Sequence, residues 1–247
     1  MRTPLNSQDS DASGEDPGYW ISISDLMSGL LIIFILALTY YMLTYSEESA
    51  KYREKTDKLT QNDILRREIL YTIEAELKRR DIMNVQVDAS HGVLRLQEGI
   101  LFDSGEDQVK EQGRAIIQVL GPVLKNVLGQ EKYIGRVETV FVEGHTDSKP
   151  ISIRFKSNWE LSTQRAINTW RELRLIAPSL ENLHSENGEP LFSCSGYADT
   201  RPIDTNTTEE GRRKNRRIDL RFAMSPPRRD EPPIVKDVLM ELKQKTP

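Results

Sequence analysis

VFVEGHTD, residues 140–147, closes a β-rich run, RVETVFVEG, at Gly144 and sets an acid, Asp147, just beyond the strand end. A second stretch, SNWELSTQRA at 157–166, opens a helix. Ser157 and Glu160 there have the spacing of a capping box, and Arg165 follows about two turns in. An acid past a strand end and an arginine on the next helix fit two arrangements equally: a buried ion pair, or two halves of a polar binding site.

Outward from this pair the pattern alternates between strand and helix. NVQVDASHGVLRLQEGILF holds two short β-rich runs around a His-Gly turn. DQVKEQGRAIIQVLGPVLKNVL carries Ile116, Val119, Leu120, Val123, Leu124 and Val127 on one helical face, with Pro122 expected to bend or split it. LFSCSGY is a short strand. RRIDLRF alternates Ile218, Leu220 and Phe222 inward with Arg217, Asp219 and Arg221 outward. SPPRRDEPP then has the composition of a linker, and Ile234, Val238 and Leu242 have the spacing of a short amphipathic helix.

The N-terminal part has a different character. Leu26 to Tyr45 carries no charge for 20 residues, the length that about 30 Å of hydrocarbon requires of a helix. Tyr19 and Trp20 flank one end and Tyr40, Tyr41 and Tyr45 the other, as aromatic residues do at headgroup level. The tail before the span is acidic and no small-residue cleavage motif follows it, which argues against a removed signal peptide. If the rings mark the interfaces, Asp25 lies about 7 Å inside the first; the bland alternative makes it a helix N-cap. A carboxylate inside a bilayer is costly when ionised unless a partner, a water path or a cation relieves it, so the span is expected among other helices. Ser22, Ser24 and Ser28 are candidate ion-path hydroxyls beside it. Lys51, Arg53, Lys55 and Lys58 follow the span, and by the positive-inside tendency they would put the C-terminal side in the cytoplasm, a weak rule for long domains.

Ser46 to Arg80 is charge-dense, with 9 Lys+Arg, 8 Asp+Glu, no Gly and no Pro, and reads as a helical connector. Ile69, Ile73 and Leu77 form a narrow apolar stripe that suits pairing with a second copy more than burial in a core. Leaving the membrane directly, this segment is also placed to plug or gate a path beside Asp25.

Composition excludes some classes. The formal net charge is -4, from 34 Lys+Arg against 38 Asp+Glu, so no long-range field draws the chain to nucleic acid. The basic run GRRKNRR leads into a strand instead of forming a free patch. One cysteine, Cys194, rules out an internal disulfide, and His91, His145 and His184 lack the spacing of a zinc site. His145 lies close to Asp147, yet no activated Ser or Cys accompanies it, so no enzyme is expected.

The site motifs taken together resemble the OmpA-like peptidoglycan-binding domain over roughly Ile100 to Phe222. They comprise Phe102–Asp103 after a strand, Gly144 to Asp147, Asn158 to Ala166 in the pattern N-x-x-L-S-x-x-R-A, Gly196–Tyr197, and Asn215 to Arg217. The resemblance implies a peptidoglycan site at Asp147 and Arg165, with Thr146, Asn158 and Arg216 in support. The chemistry is coherent, since diaminopimelate in peptidoglycan stems is zwitterionic at its free end. Its ammonium needs an anion and its carboxylate a forked cation, which arginine supplies through two parallel hydrogen bonds. Replacing Asp147 or Arg165 by alanine is expected to weaken wall capture without unfolding the domain. Peptidoglycan lies outside the cytoplasmic membrane, so this domain belongs in the periplasm, against the charge bias.

The whole chain, with WISISDLMSGLL opening the span, resembles the MotB-type stator subunits, and within them the ZorB-like subunits of Zorya anti-phage defence. The acidic tail, charge-dense connector and Pro-rich end depart from flagellar versions. That resemblance implies that Asp25 carries the transported ion, H⁺ or Na⁺, with no bound cofactor or metal. It further implies a homodimer inside five copies of a MotA-like or ZorA-like membrane subunit. The expected fold is α+β, in five parts: a cytoplasmic tail (1–18), a transmembrane helix (19–45), a helical connector (46–80), an OmpA-like βαβαββ sandwich domain (81–224) and a C-terminal tail (225–247).

Overall fold

A computed structural model describes residues 17–103, 105–151 and 155–226 of the chain. The expected tails lie almost wholly outside these residues, as do the Tyr19 and Trp20 side chains. The chain divides into two compact units, Met1–Thr56 and Asp57–Pro247.

In the first unit a single helix dominates. Helix α1 runs Pro17–Lys78, and its apolar stretch is the one helix among the described residues long and apolar enough to cross a membrane. From Leu26 to Tyr45 its large apolar side chains stand between 46% (Leu38) and 73% (Tyr40) exposed, a surface that demands lipid or partner helices.

In the second unit the last turns of α1 behave otherwise. Leu65, Ile69, Leu70, Ile73 and Leu77 are buried in the same apolar cluster as the sheet and its helices. The stripe therefore packs into the domain's own core and is not left free for a second copy. These turns lie ahead of the expected domain boundary at residue 81. The helix stops where Asp81 turns to φ 60°, and the Ile82 N–H donates back to Leu77 O at 3.0 Å.

The elements that follow are β1 (Val85–Asp88), β2 (Val93–Gln97), α2 (Glu98–Leu101), α3 (Glu111–Leu128), β3 (Val137–His145), α4 (Asn158–Ile176), β4 (Phe192–Gly196), α5 (Glu209–Asn215) and β5 (Arg217–Met224). The five strands form one sheet in the order β1-β2-β5-β3-β4, antiparallel except for the parallel β3–β4 pair. The domain is the expected mixed α+β type, and the two β-rich runs ahead of α3 form β1 and β2. Pro122 sits inside α3 without dividing it.

Register aligns the side chains in ranks. Leu94, Leu220 and Val142 are neighbours across β2, β5 and β3, and with Ile117, Leu120 and Leu124 of α3 they make the core. The opposite rank is ionic: Arg95, Asp219 and Glu143 lie side by side. Arg217 and Asp219 alternate away from the apolar face as expected, yet they are only 4% and 3% exposed. Each is covered because it is paired. Arg217 donates to Asp219 at 2.9 Å and to Arg201 O at 3.0 Å, and Arg95 donates to Asp219 at 3.0 Å.

Candidate functional site

Two strand ends and one helix are brought into contact by glycines. Gly144 of β3 and Gly196 of β4 are paired in register. A Cβ at Gly144 would meet Ser162 O at 1.9 Å, and one at Gly196 would meet Thr163 Oγ1 at 2.2 Å. Only glycine allows α4 to lie this close to the sheet. The two following turns are tied together, since Thr146 N donates to Ala198 O and Tyr197 N to Gly144 O, both at 2.9 Å. Asp147 is thus held beside the N-terminal half of α4.

That helix starts as its sequence predicts. The Ser157 hydroxyl accepts from Glu160 N at 3.3 Å, while the Glu160 carboxylate accepts from Lys156 N at 2.7 Å, one residue before the usual capping-box partner. Asn158, first in the helix, donates to Asp147 O and Lys149 O, both at 3.1 Å, and so fastens the loop between strand and helix.

The result is a pocket of about 430 Å³ whose wall includes all five predicted residues, Thr146, Asp147, Asn158, Arg165 and Arg216, together with Glu98, Lys149 and Glu209. Asp147 and Arg165 are not each other's partner. Arg165, 2% exposed, forms an ion pair with Glu98 and donates from Nε to Glu106 O at 2.8 Å and from Nη2 to Asp103 O at 3.4 Å. Asp147 accepts from Arg216 Nη1 at 2.5 Å and from Lys149 N at 2.9 Å. Arg216 also reaches Glu98 at 2.8 Å and Glu209 at 3.1 Å. The charges therefore alternate along one chain, Arg165–Glu98–Arg216–Asp147. The Thr146 hydroxyl is buried with no hydrogen-bond partner.

Burial pushes the Glu98 carboxyl above its ordinary range; Arg165 and then Arg216 oppose the shift, and Asp147 adds to it. Burial likewise pulls Arg165 down, and Glu98 restores part of its charge preference. Three cations (Arg165, Arg216, Lys149) and four anions (Glu98, Glu106, Asp147, Glu209) line the pocket. A zwitterion offers a partner to charges of both signs and leaves their sum unchanged, whereas a simple anion or cation shifts it.

Glu98 and Glu209 escaped the sequence reading. Neither belongs to a motif, and Glu98 meets Arg165 only through the placement of α2. The Asn215–Arg216–Arg217 run serves three ends, not one. Asn215 accepts from Ile203 N at 2.8 Å and Asp204 N at 3.0 Å, Arg216 faces the pocket, and Arg217 turns to the far side of the sheet.

His145 is a packing residue. Its ring is 2% exposed, stacks on Tyr197 with centroids 5.4 Å apart, and has no hydrogen-bond partner at either nitrogen. Burial, reinforced by Arg217, drives it down to about 3, so the ring is neutral at ordinary pH. Among the described residues no three His, Cys, Asp or Glu side chains gather as a metal site.

In the first unit, Asp25 stands inside α1, well past its start at Pro17, so it does not cap the helix. It is exposed and shares a groove with Ser22 and Gly29. Ser24 and Ser28 are joined instead, the Ser28 hydroxyl donating to Ser24 O at 2.7 Å.

Comparison with known proteins finds relatives for both the domain and the longer chain. The OmpA family model matches residues 101–216. Motility protein B of Bacillus subtilis strain 168 is 32% identical over 133 residues, 53% of this chain and 45% of that protein. Zorya protein ZorB of Escherichia coli is 23% identical over 214 residues, 83% of this chain and 87% of ZorB. The crystal structure of a MotB-like protein from Desulfovibrio vulgaris overlays 70% of this chain and 99% of its own with a TM-score of 0.51 at 19% identity, a likeness of fold. The chain spans about half the length of the curated relatives it matches in Bacillus subtilis. Residues 101–216 thus match the OmpA family, and the chain is similar to motility protein B and to ZorB, with an apolar helix of membrane length ahead of the matched domain.

Proposed function

We propose that this chain is a peptidoglycan-anchored stator subunit of an ion-driven rotary motor in the bacterial inner membrane. The observation that carries the proposal is the pocket, where an aspartate and an arginine bridged by alternating charges line a cavity that presents both signs of charge. Diaminopimelate fits that chemistry, with its ammonium toward Asp147, its carboxylate toward Arg165 and Arg216, and Asn158 and Thr146 as polar support. The domain then lies in the periplasm and the N-terminus in the cytoplasm, with one span between.

At the other end Asp25 is the ion carrier. A carboxylate on an exposed apolar helix needs relief by partner helices or a cation. Ser22 shares its groove, and Ser24 and Ser28 lie on the adjoining face. The partners are a second copy of this chain and a MotA-like or ZorA-like subunit, five for two copies, and the ion is H⁺ or Na⁺. Anti-phage defence is favoured over motility because the similarity to ZorB extends over both units, whereas that to Motility protein B covers half of this chain.

Co-sedimentation of the full chain with purified sacculi tests the anchoring half. Capture is expected for the unsubstituted chain and loss of at least about tenfold for Asp147→Ala, roughly the strength of one charge-assisted contact. Equal capture of both would reject the pocket as the wall site.

A further inference from the structure

Glu98 is 4% exposed and yet forms part of the pocket wall. Its two oxygens are divided between the two arginines, Oε1 to Arg165 Nη1 and Oε2 to Arg216 Nε at 2.8 Å. The backbone fixes it too, because Glu98 N donates to Arg216 O at 3.1 Å. Arg165 is held in place by the carbonyls of Glu106 and Asp103. A carboxylate arriving from solvent therefore meets guanidinium groups that a carboxylate of the chain already neutralises.

Two carboxylates sharing one guanidinium repel, and the cheapest relief is for one to take up a proton. The buried one is Glu98. We propose that Glu98 is a resident carboxylate standing where a ligand's carboxylate docks between Arg165 and Arg216, and that binding displaces it and leaves it protonated. The inference rests on the diaminopimelate reading of this pocket.

The groups that face Glu98 set the sign. Arg165 from α4 and Arg216 from the turn after α5 favour its charged form, while Asp147 from the turn after β3 disfavours it. Lys149, Glu106 and Glu209 line the same pocket. A ligand that engages the two arginines removes what holds the proton off and adds a second negative charge. One proton then passes from solvent to Glu98 for each ligand bound, and affinity falls as pH rises.

The test titrates meso-diaminopimelate into the full chain in detergent by calorimetry, in two buffers of different ionisation enthalpy. Uptake of about one proton per ligand is expected near neutral pH, with affinity weakening by up to about tenfold per pH unit. Glu98→Gln removes the charge and the titrating proton while keeping one acceptor oxygen for the arginines; it is expected to bind at least as tightly, with no proton uptake and no pH dependence. Binding by the unsubstituted chain without proton exchange would overturn the proposal. So would a folded Glu98→Gln chain that loses binding as Asp147→Ala does, for Glu98 would then be a positioning residue. Should Glu98→Gln fail to melt cooperatively, the proton count of the unsubstituted chain decides alone. If the unsubstituted chain binds neither diaminopimelate nor sacculi, the ligand assignment itself falls and takes this inference with it.

Discussion

Asp147 and Arg165 look equivalent in sequence, but substitution should separate them. Asp147 is buried but pairs with Arg216, whose side chain stays 26% exposed, whereas Arg165 is sunk at 2% exposure with the equally buried Glu98 as its counter-ion. Breaking a buried pair from one side costs about 3–5 kcal/mol, so Arg165→Ala is expected to lower the unfolding midpoint as well as capture. The expectation that it spares the fold is corrected by its burial. Asp147→Asn should abolish capture with the midpoint nearly unchanged, as thermal melting followed by sacculus binding would show. His145 makes a different forecast. Its folded value of about 3 lies below the ordinary 6.5, so the unfolded chain binds the extra proton between those values. The stability it contributes is complete above about pH 6.5 and lost as pH falls toward 3, at up to about 1.4 kcal/mol per pH unit. His145→Phe keeps the stack on Tyr197 and should flatten the acid limb of the stability curve, measured by urea titration at several pH values. The five pocket residues were legible because each belongs to a motif, four of them at element ends and Arg165 two turns into α4. Glu98 was not, because its partners lie far away in sequence and nothing local marks the contact.

Among the elements, the end of α1 shows what periodicity carries and what it leaves open. The four-residue spacing of Ile69, Ile73 and Leu77 gave the helix and its apolar face, but a dimer seam and a domain core bury the same stripe. The structure assigns it to the core, with Ile73 at 0% exposure. Ile73→Ala is therefore expected to cost about 2–5 kcal/mol, with an unfolding midpoint independent of protein concentration. A dimer seam would make that midpoint rise with concentration. The contact of α4 with the sheet is more demanding, since a methyl group at Gly144 would lie 1.9 Å from Ser162 O. Gly144→Ala should displace α4 and lose capture and stability together, unlike Asp147→Asn. Strand alternation on β5 was read correctly for direction and wrongly for exposure. Period-two patterning says which face a side chain takes, but not whether Arg95 and the turn around Arg201 will cover it.

At the scale of the whole molecule, two units of opposite surface character share one chain. Met1–Thr56 presents an apolar helix with a carboxylate, Asp25, at the head of its uncharged stretch, and Asp57–Pro247 holds a polar pocket lined by charges of both signs. A passive tether needs the second and has no use for a carboxylate in the first. The most direct measurement is ion uptake into vesicles carrying the chain with the proposed MotA-like or ZorA-like subunit, comparing the unsubstituted chain with Asp25→Asn, beside sacculus capture of the same proteins. The expected result is flux lost to background in Asp25→Asn with capture unchanged. Undiminished flux in that variant would contradict the account.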